Sequence, residues 1–334
     1  MSANLEAQAT AEATLKGFLW RQREAPKPLP TGTSAKGQTS IVTGSNVGLG
    51  LEASRQLLQL GLSHLVMGVR SQERGDAAAK KLRAEFPDAR ISVWIVDMSS
   101  YESVRAFAAK CGAELERIDS VILNAGVQTS TFTLVEDTGH EITVQVNYLS
   151  TALLSLLLVP VLKAKKKEGA PPPVLTIVGS DTAYMTNLLS MEPALPVFDK
   201  PEAFSQFQTY PRAKLLLVFF VAKLAEHVDP ADVIINYSNP GLTKGTEIAR
   251  SGSLLSKIAG STTQYFLARE LDVGASVYLD AVFNHGAEGH GGFISDWTIK
   301  PYPPVWYTEE GKKLRTSLWE ETMKELRPAG APLL

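Results

Sequence analysis

Two side chains four residues apart, Tyr210 and Lys214, have the chemistry to move a proton together. On a helix, such a pair shares one face. A free phenol has a pKa of roughly 10 and is a poor acid–base group at neutral pH. A lysine cation beside it favours phenolate and lowers that value toward the working range. The segment Tyr210-Pro211-Arg212-Ala213-Lys214 opens an apolar helix, predicted over about 207–227. The strand before it ends in Ile177-Val178-Gly179-Ser180. A hydroxyl at that edge can hydrogen-bond a carbonyl oxygen as charge develops on it. Asn147 interrupts a long apolar helix predicted over about 138–163. Asparagine is a poor helix former, so its place there needs a reason: a partnered buried amide, or a part in the chemistry.

A second group of residues suits a dinucleotide. Thr43 and Gly44 are followed by Ser45, Asn46, Val47, Gly48, Leu49 and Gly50, in the spacing T-G-x-x-x-G-x-G. The run lies between a predicted strand and a predicted helix. Glycines there permit a tight turn and close approach of backbone to pyrophosphate, with helix N–H groups facing the phosphates. The end of the second strand selects the dinucleotide. A carboxylate would bind the ribose 2′-OH of NAD, and an arginine the 2′-phosphate of NADP. This chain has Gly68-Val69-Arg70-Ser71, with Arg70 twenty residues after Gly50. A guanidinium pairs with phosphate in a charge-assisted, bidentate way, so NADP(H) is the expected cofactor. The fourth strand ends in Asn124-Ala125-Gly126, a close-approach turn beside it.

The elements that carry these residues alternate. Strands are predicted at 39–42, 64–69, 91–96, 120–123, 174–178, 233–237 and 292–294, separated by helices. Ser99 and Glu102 have capping-box spacing ahead of a helix running through Cys111. Short, continuous apolar strands alternating with helices of ten or more residues argue for βαβ units. The expected fold is therefore α/β: a doubly wound, seven-stranded parallel sheet with helices on both faces.

Composition narrows the function. The 334 residues carry 33 Lys+Arg against 35 Asp+Glu, and 44% are hydrophobic. A net charge of −2 leaves no electrostatic footprint for nucleic acid. A single cysteine, Cys111, excludes an intrachain disulfide and a thiolate zinc site, and the five histidines are scattered, so no metal is expected. The longest apolar candidate, Leu149–Leu162, contains Ser, Thr and Pro and falls short of a continuous spanning run. The first 37 residues lack the order of a signal peptide. A cytoplasmic protein is expected.

Together these motifs resemble the short-chain dehydrogenases/reductases, in that family's order, over about 39–296. Asp97 after the third strand and Asn239-Pro240-Gly241 complete the match. The resemblance implies a Rossmann-type sheet and an Asn147-Ser180-Tyr210-Lys214 tetrad. In it Tyr210 is the general acid, Ser180 orients the carbonyl, Lys214 binds the nicotinamide ribose, and Asn147 holds a relay water. It also implies Asp97 and Met98 near the adenine, Asn124 bordering the ribose, and the backbone after Pro240, with Thr243 or Thr246, holding the carboxamide. More narrowly, the chain is similar to filamentous-fungal members associated with secondary metabolism and to retinol-dehydrogenase-like reductases. Thr14–Trp20, Gly48–Ala53, Ser295–Trp297 and Leu318–Thr322 carry that likeness. Three features depart from the pattern. Val47 stands where some NADP-dependent members have a basic residue. Gly245 shifts the threonine spacing after Gly241. Thirty residues separate Ser180 from Tyr210.

The implied organisation is an N-terminal arm (1–38), a catalytic domain (39–296) with an insertion at about 184–207, and a C-terminal arm (297–334) whose helix packs on the domain. The insertion contributes Tyr184, Met185, Leu188, Leu189, Met191, Phe198, Phe204 and Phe207; beyond Gly241 lie Leu242, Ile248, Leu254, Leu255 and Phe266. These residues either line a large apolar pocket or cover the sheet. The expected reaction interconverts a ketone and a secondary alcohol on a bulky, largely apolar small molecule. Reduction of C=C or C=N on the same fold, or a non-redox, nucleotide-sensing homologue, are the alternatives. Both a homodimer through the two long helices and a monomer fit the sequence.

Overall fold

The computed structural model describes residues 1–188, 191, 193–245 and 267–332. Eight strands form one sheet: β1 (Thr39–Thr43), β2 (His64–Val69), β3 (Arg90–Ile95), β4 (Ser120–Leu123), β5 (Val174–Val178), β6 (Ile234–Asn239), β7 (Phe293–Ser295) and β8 (Thr298–Lys300). Their order is β3-β2-β1-β4-β5-β6-β7-β8. The first seven are parallel, and β8 returns antiparallel to β7. The expected seven-stranded sheet thus gains an edge strand, reached through a two-residue turn. Asp296 and Trp297 both hold positive φ there (54° and 55°), the geometry of a tight hairpin turn. Asp tolerates that backbone well, but Trp297 does not announce such a turn.

Helices cover both faces. They are α1 (Glu6–Glu12), α2 (Leu15–Arg23), α3 (Gly48–Gln59), α4 (Gln72–Glu85), α5 (Tyr101–Glu114), the single turn α6 (Ile142–Val144), α7 (Ser150–Lys165), α8 (Ala194–Phe198), α9 (Thr209–Glu226), α10 (Leu271–Phe283) and α11 (Glu309–Leu326). Strand residues alternate between two cores. Ile41, Val66 and Val121 face a cluster with α5, α7, α9 and α11, while Val42, Leu65 and Ile122 face α3, α4 and α10. The α5 N-cap is Ser100, whose hydroxyl accepts from Ser103 N–H. The expected capping box at Ser99 and Glu102 does not form, because Ser99 is engaged by Asp97.

A π-helical turn, Gln145–Leu149, joins α6 to α7. The resulting 24-residue helix is long and apolar enough to cross a membrane by length and composition, more so than the interrupted run expected from the sequence. Its most apolar window is 89% buried within the fold, the character of a core helix. The C-terminal α11 lies against α9. Trp319 stacks on Phe220 at 5.9 Å and on His227 at 4.9 Å, and Tyr148 shares a 2.6 Å hydrogen bond with Thr322.

Candidate active site

The sheet reverses its order between β1 and β4, and the crevice beyond their C-terminal ends is where such sheets bind ligands. Asn124 stitches it. Its amide donates to Thr43 O (3.0 Å) and Gly44 O (3.2 Å), and its oxygen accepts from the Tyr278 hydroxyl (3.3 Å). The Thr43 hydroxyl accepts from Ala125 N–H at 3.1 Å. A Cβ at Gly50 would sit 2.5 Å from both Asn124 Nδ2 and Gly44 O, so only glycine fits. Gly126 is pressed likewise, 2.7 Å from Asn147 Oδ1.

The glycine-rich turn fits a dinucleotide. Val47, the N-cap of α3, makes no side-chain cap bond, so the first-turn N–H groups are left to a ligand. A Cβ at Gly48 would meet nothing within 4 Å. The Ser45 hydroxyl is buried without a hydrogen-bond partner. Asn46 and Leu49 flank it, half-buried and buried respectively. At the end of β2, Arg70 is exposed and pairs with no carboxylate among the described residues. Asp97 accepts Ser99 N–H (2.9 Å) and the Ser99 hydroxyl (2.7 Å) on one oxygen, and Met98 is buried next to it.

Ser180, Tyr210 and Lys214 come together beyond β5. Ser180 caps a short 3₁₀ turn, and its oxygen accepts from Thr182 N–H (3.2 Å) and the Thr182 hydroxyl (3.0 Å). Its own O–H is thereby left to donate. Buried Lys214 donates to Val178 O at 2.9 Å, and its nitrogen lies 5.6 Å from the centre of the Tyr210 ring. Burial brings Lys214 down to about 8. Burial also pushes the Tyr210 phenol above its usual range, against the pull of a hydrogen bond with Ser180. That differs from the lowering expected from a lysine on the same helix face. The reason is that the ammonium is turned onto a backbone carbonyl and both groups are desolvated.

Asn147 lies in the π turn. Its amide donates to Val127 O and Thr143 O, both at 2.7 Å, and its oxygen accepts Val127 N–H at 3.2 Å. Both donors are thus engaged in bracing the segment after β4. Beyond β6, Gly241 takes φ +75°, with its N–H on Asn239 Oδ1 at 3.1 Å. Pro240 O accepts from Arg269 at 3.0 Å, and the Thr243 hydroxyl donates to Gly241 O at 3.1 Å. Thr246 lies outside the described residues, as do Leu189, Ile248, Leu254, Leu255 and Phe266.

Two bracing contacts were not foreseen from the sequence, one made by Tyr237 and one by Asn239. The buried Tyr237 hydroxyl accepts Ser180 N–H (2.7 Å) and is within donating distance of Ser180 O (3.1 Å) and Lys214 O (3.3 Å). Asn239 Oδ1 accepts Asp181 N–H at 3.1 Å. The available signal was a run of polar residues, Asn236 to Asn239, inside a central strand. All of them are buried.

Comparison with known proteins agrees with this arrangement. Residues 38–178 match the short chain dehydrogenase family model. Short chain dehydrogenase virL of Hypocrea virens is 58% identical over 99% of this chain and 97% of its own. Short chain dehydrogenase/reductase mfmJ of Annulohypoxylon moriforme is 45% identical over 91% and 88%. Among solved structures, the short chain dehydrogenase of Shigella flexneri matches with TM-score 0.61 at 17% identity, over 83% of this chain and 95% of that one. The NADPH-bound short chain oxidoreductase of Pseudomonas aeruginosa PAO1, with its atypical catalytic center, matches with TM-score 0.58 at 21% identity, over 78% and 95%. Sheet, crevice and relatives agree: the chain belongs to the short-chain dehydrogenase/reductase family of oxidoreductases, and it resembles fungal members of that family.

Proposed function

We propose that the protein is an NADPH-dependent reductase of a ketone on a bulky, largely apolar small molecule, working in secondary metabolism, with the reverse alcohol oxidation open to it. The carrying observation is the gathering beyond β5 of the Ser180 hydroxyl, the Tyr210 phenol that it hydrogen-bonds and the Lys214 amine. A reduced nicotinamide held in the crevice would supply the hydride for the carbonyl carbon. Ser180 holds the carbonyl oxygen by donating to it, as negative charge grows there. Tyr210 gives that oxygen its proton, and Lys214, when protonated, stabilises the phenolate left behind. The bonding of Asn147 assigns it a bracing role, with one lone pair of its side-chain oxygen remaining for a relay water.

Preference for NADP(H) rests on Arg70, which stands exposed where an acid would select NAD and pairs with no carboxylate among the described residues, and the NADPH bound to the Pseudomonas aeruginosa protein is consistent with it. Gly44, Ser45, Asn46, Val47, Gly48, Leu49 and Gly50 would hold the pyrophosphate, Asp97 and Met98 the adenine, and Pro240, Gly241 and Thr243 the carboxamide end. An apolar substrate is supported by Met185 and Phe207, 50% and 75% exposed on either side of the Thr186–Gln208 hydrogen bond near Tyr210. A cytoplasmic setting, where a free thiol such as Cys111 persists, belongs to the same reading. The test is NADPH consumption over a panel of carbonyl compounds with Tyr210→Phe as control. Undiminished turnover in that variant would remove the mechanism, and turnover of small polar aldehydes alone would remove the substrate class.

A further inference from the structure

We propose that the last turn of α2 positions the reacting groups, Gln22 by holding the backbone at Gly241–Leu242 and Arg21 by holding the turn that carries Ser180. The proposal rests on the reductase reading above for its kinetic consequence, and on the ligand-free protein for its structural one.

The bonds are polar and buried, and they reach the loops that follow β5 and β6. Gln22 is 8% exposed. Its oxygen accepts Leu242 N–H at 3.0 Å, and its amide donates to Leu242 O at 2.9 Å and Leu267 O at 3.1 Å. The carboxamide therefore grips one residue of the post-β6 segment at both its backbone groups. Gly241 is shaped to admit it, since a Cβ there would lie 2.6 Å from Gln22 Oε1. Arg21, 1% exposed, pairs with Asp181 at 3.3 Å, and Asp181 follows Ser180 directly. The other arm of its guanidinium meets Glu12 at 2.7 Å. The Arg21 carbonyl accepts from Arg269, which also donates to Pro240 O. Asn239 Oδ1 closes the set by accepting both Asp181 N–H and Gly241 N–H.

A helix that merely covers a core buries its apolar side chains. Leu15 and Trp20 on α2 are instead 71% and 66% exposed, while Arg21 and Gln22 are buried. The attachment of α2 is thus through its polar last turn, onto loops leaving the adjacent strands β5 and β6. Those loops flank the place where a carbonyl on Ser180 would meet a nicotinamide near Gly241. Small errors in that meeting are costly to rate, because a misplacement of about 1 Å can lower it by about a hundredfold. Gln22 and Arg21 touch neither substrate nor cofactor; they act through the backbone they hold.

Gln22→Met tests this without leaving a buried charge unpaired, as Arg21 variants would. Amide exchange of residues 238–245 in the ligand-free protein should speed up by about tenfold, with 64–69 in β2 unchanged. In steady state, kcat should fall by about tenfold while KM for NADPH stays within about threefold, because pyrophosphate and adenine contacts are untouched. Wild-type exchange at 238–245, or acceleration spread equally through β2, would overturn the proposal. Faster local exchange with unchanged kcat would overturn it too, since the helix would then brace the loop without serving the reaction. If the variant does not fold, Gln22→Asn, a neutral amide one methylene too short to reach Leu242, decides by the same readouts. If the wild type reduces no carbonyl compound, the reductase reading fails on its own, and the exchange result still decides whether Gln22 holds the loop.

Discussion

Replacing Tyr237 by phenylalanine removes one oxygen and keeps the ring. The ring is structurally required: it occupies the space a side chain at Gly179 would need, with a Cβ there only 1.6 Å from Tyr237 Cζ. The lost oxygen is the partner of Ser180 N–H at 2.7 Å and a donor toward Ser180 O or Lys214 O. A buried donor stripped of its acceptor costs about 1–3 kcal/mol, so stability should fall by ~2 kcal/mol. The effect on rate is separate. Without its anchor, Ser180 samples orientations in which its O–H misses the carbonyl oxygen, and ~2 kcal/mol of lost transition-state stabilisation is about thirtyfold in kcat. Denaturant unfolding supplies the first quantity and steady-state kinetics the second. KM should change by less than about threefold, and Tyr210→Phe should be far more severe than Tyr237→Phe. A stability loss of the stated size with unchanged kcat would refute the idea that Tyr237 aims Ser180. A raised KM with unchanged kcat would refute it equally.

Arg70→Glu should reverse cofactor preference, raising KM for NADPH by at least about tenfold while KM for NADH falls; unchanged selectivity would remove Arg70 from the 2′-phosphate. Gly179→Ala should give insoluble or unfolded protein on expression, because the methyl group and the Tyr237 ring claim one volume. His140 lies between Asp199 (2.9 Å) and Glu325 (3.1 Å). Burial alone would lower it, but the two carboxylate hydrogen bonds carry it up to about 9. A raised folded-state pKa stabilises fully below the ordinary histidine value and is lost as pH rises through about 9. Thermal stability should therefore decline by at most ~3 kcal/mol over that window, and His140→Asn should flatten the decline. Gel filtration with light scattering should give a monomer, because α11 occupies the α9 face through which the two long helices would pair. A stable dimer would show that pairing uses another face.

The local code of the chain was readable. Continuous β-branched runs such as Thr39–Thr43 mark strands buried on both faces, and the glycines at 44, 48 and 50 mark the turn, because only neighbours in sequence are needed to see them. Helix spacing put Tyr210 and Lys214 together correctly but missed the sign of the phenol's shift, which is set by burial and not by spacing. Features made by distant segments were not readable. The antiparallel β8 depends on Asp296 accepting a left-handed backbone, with Arg269 on its carboxylate. The Tyr237 contact spans 57 residues, and the Arg21–Asp181 pair spans 160. Asn147 was singled out for its helix propensity, and its bond to Val127, across 20 residues, could not be read from that.

The contacts of the first residues also set an order of assembly. Ser2 receives a hydrogen bond from Phe293 across 291 residues, and Gln22 reaches Leu267 across 245. Ser2 and Gln22 are thus made long before these partners. At about 5–20 residues per second, Gln22 waits on the order of 12–50 s for Leu267 to be made. Ser180 and Tyr210 are both synthesised well before Leu267 and Arg269 can join Gln22 and Arg21. Strands β1 to β6 can therefore pair before the bond between Gln22 and Leu267 exists.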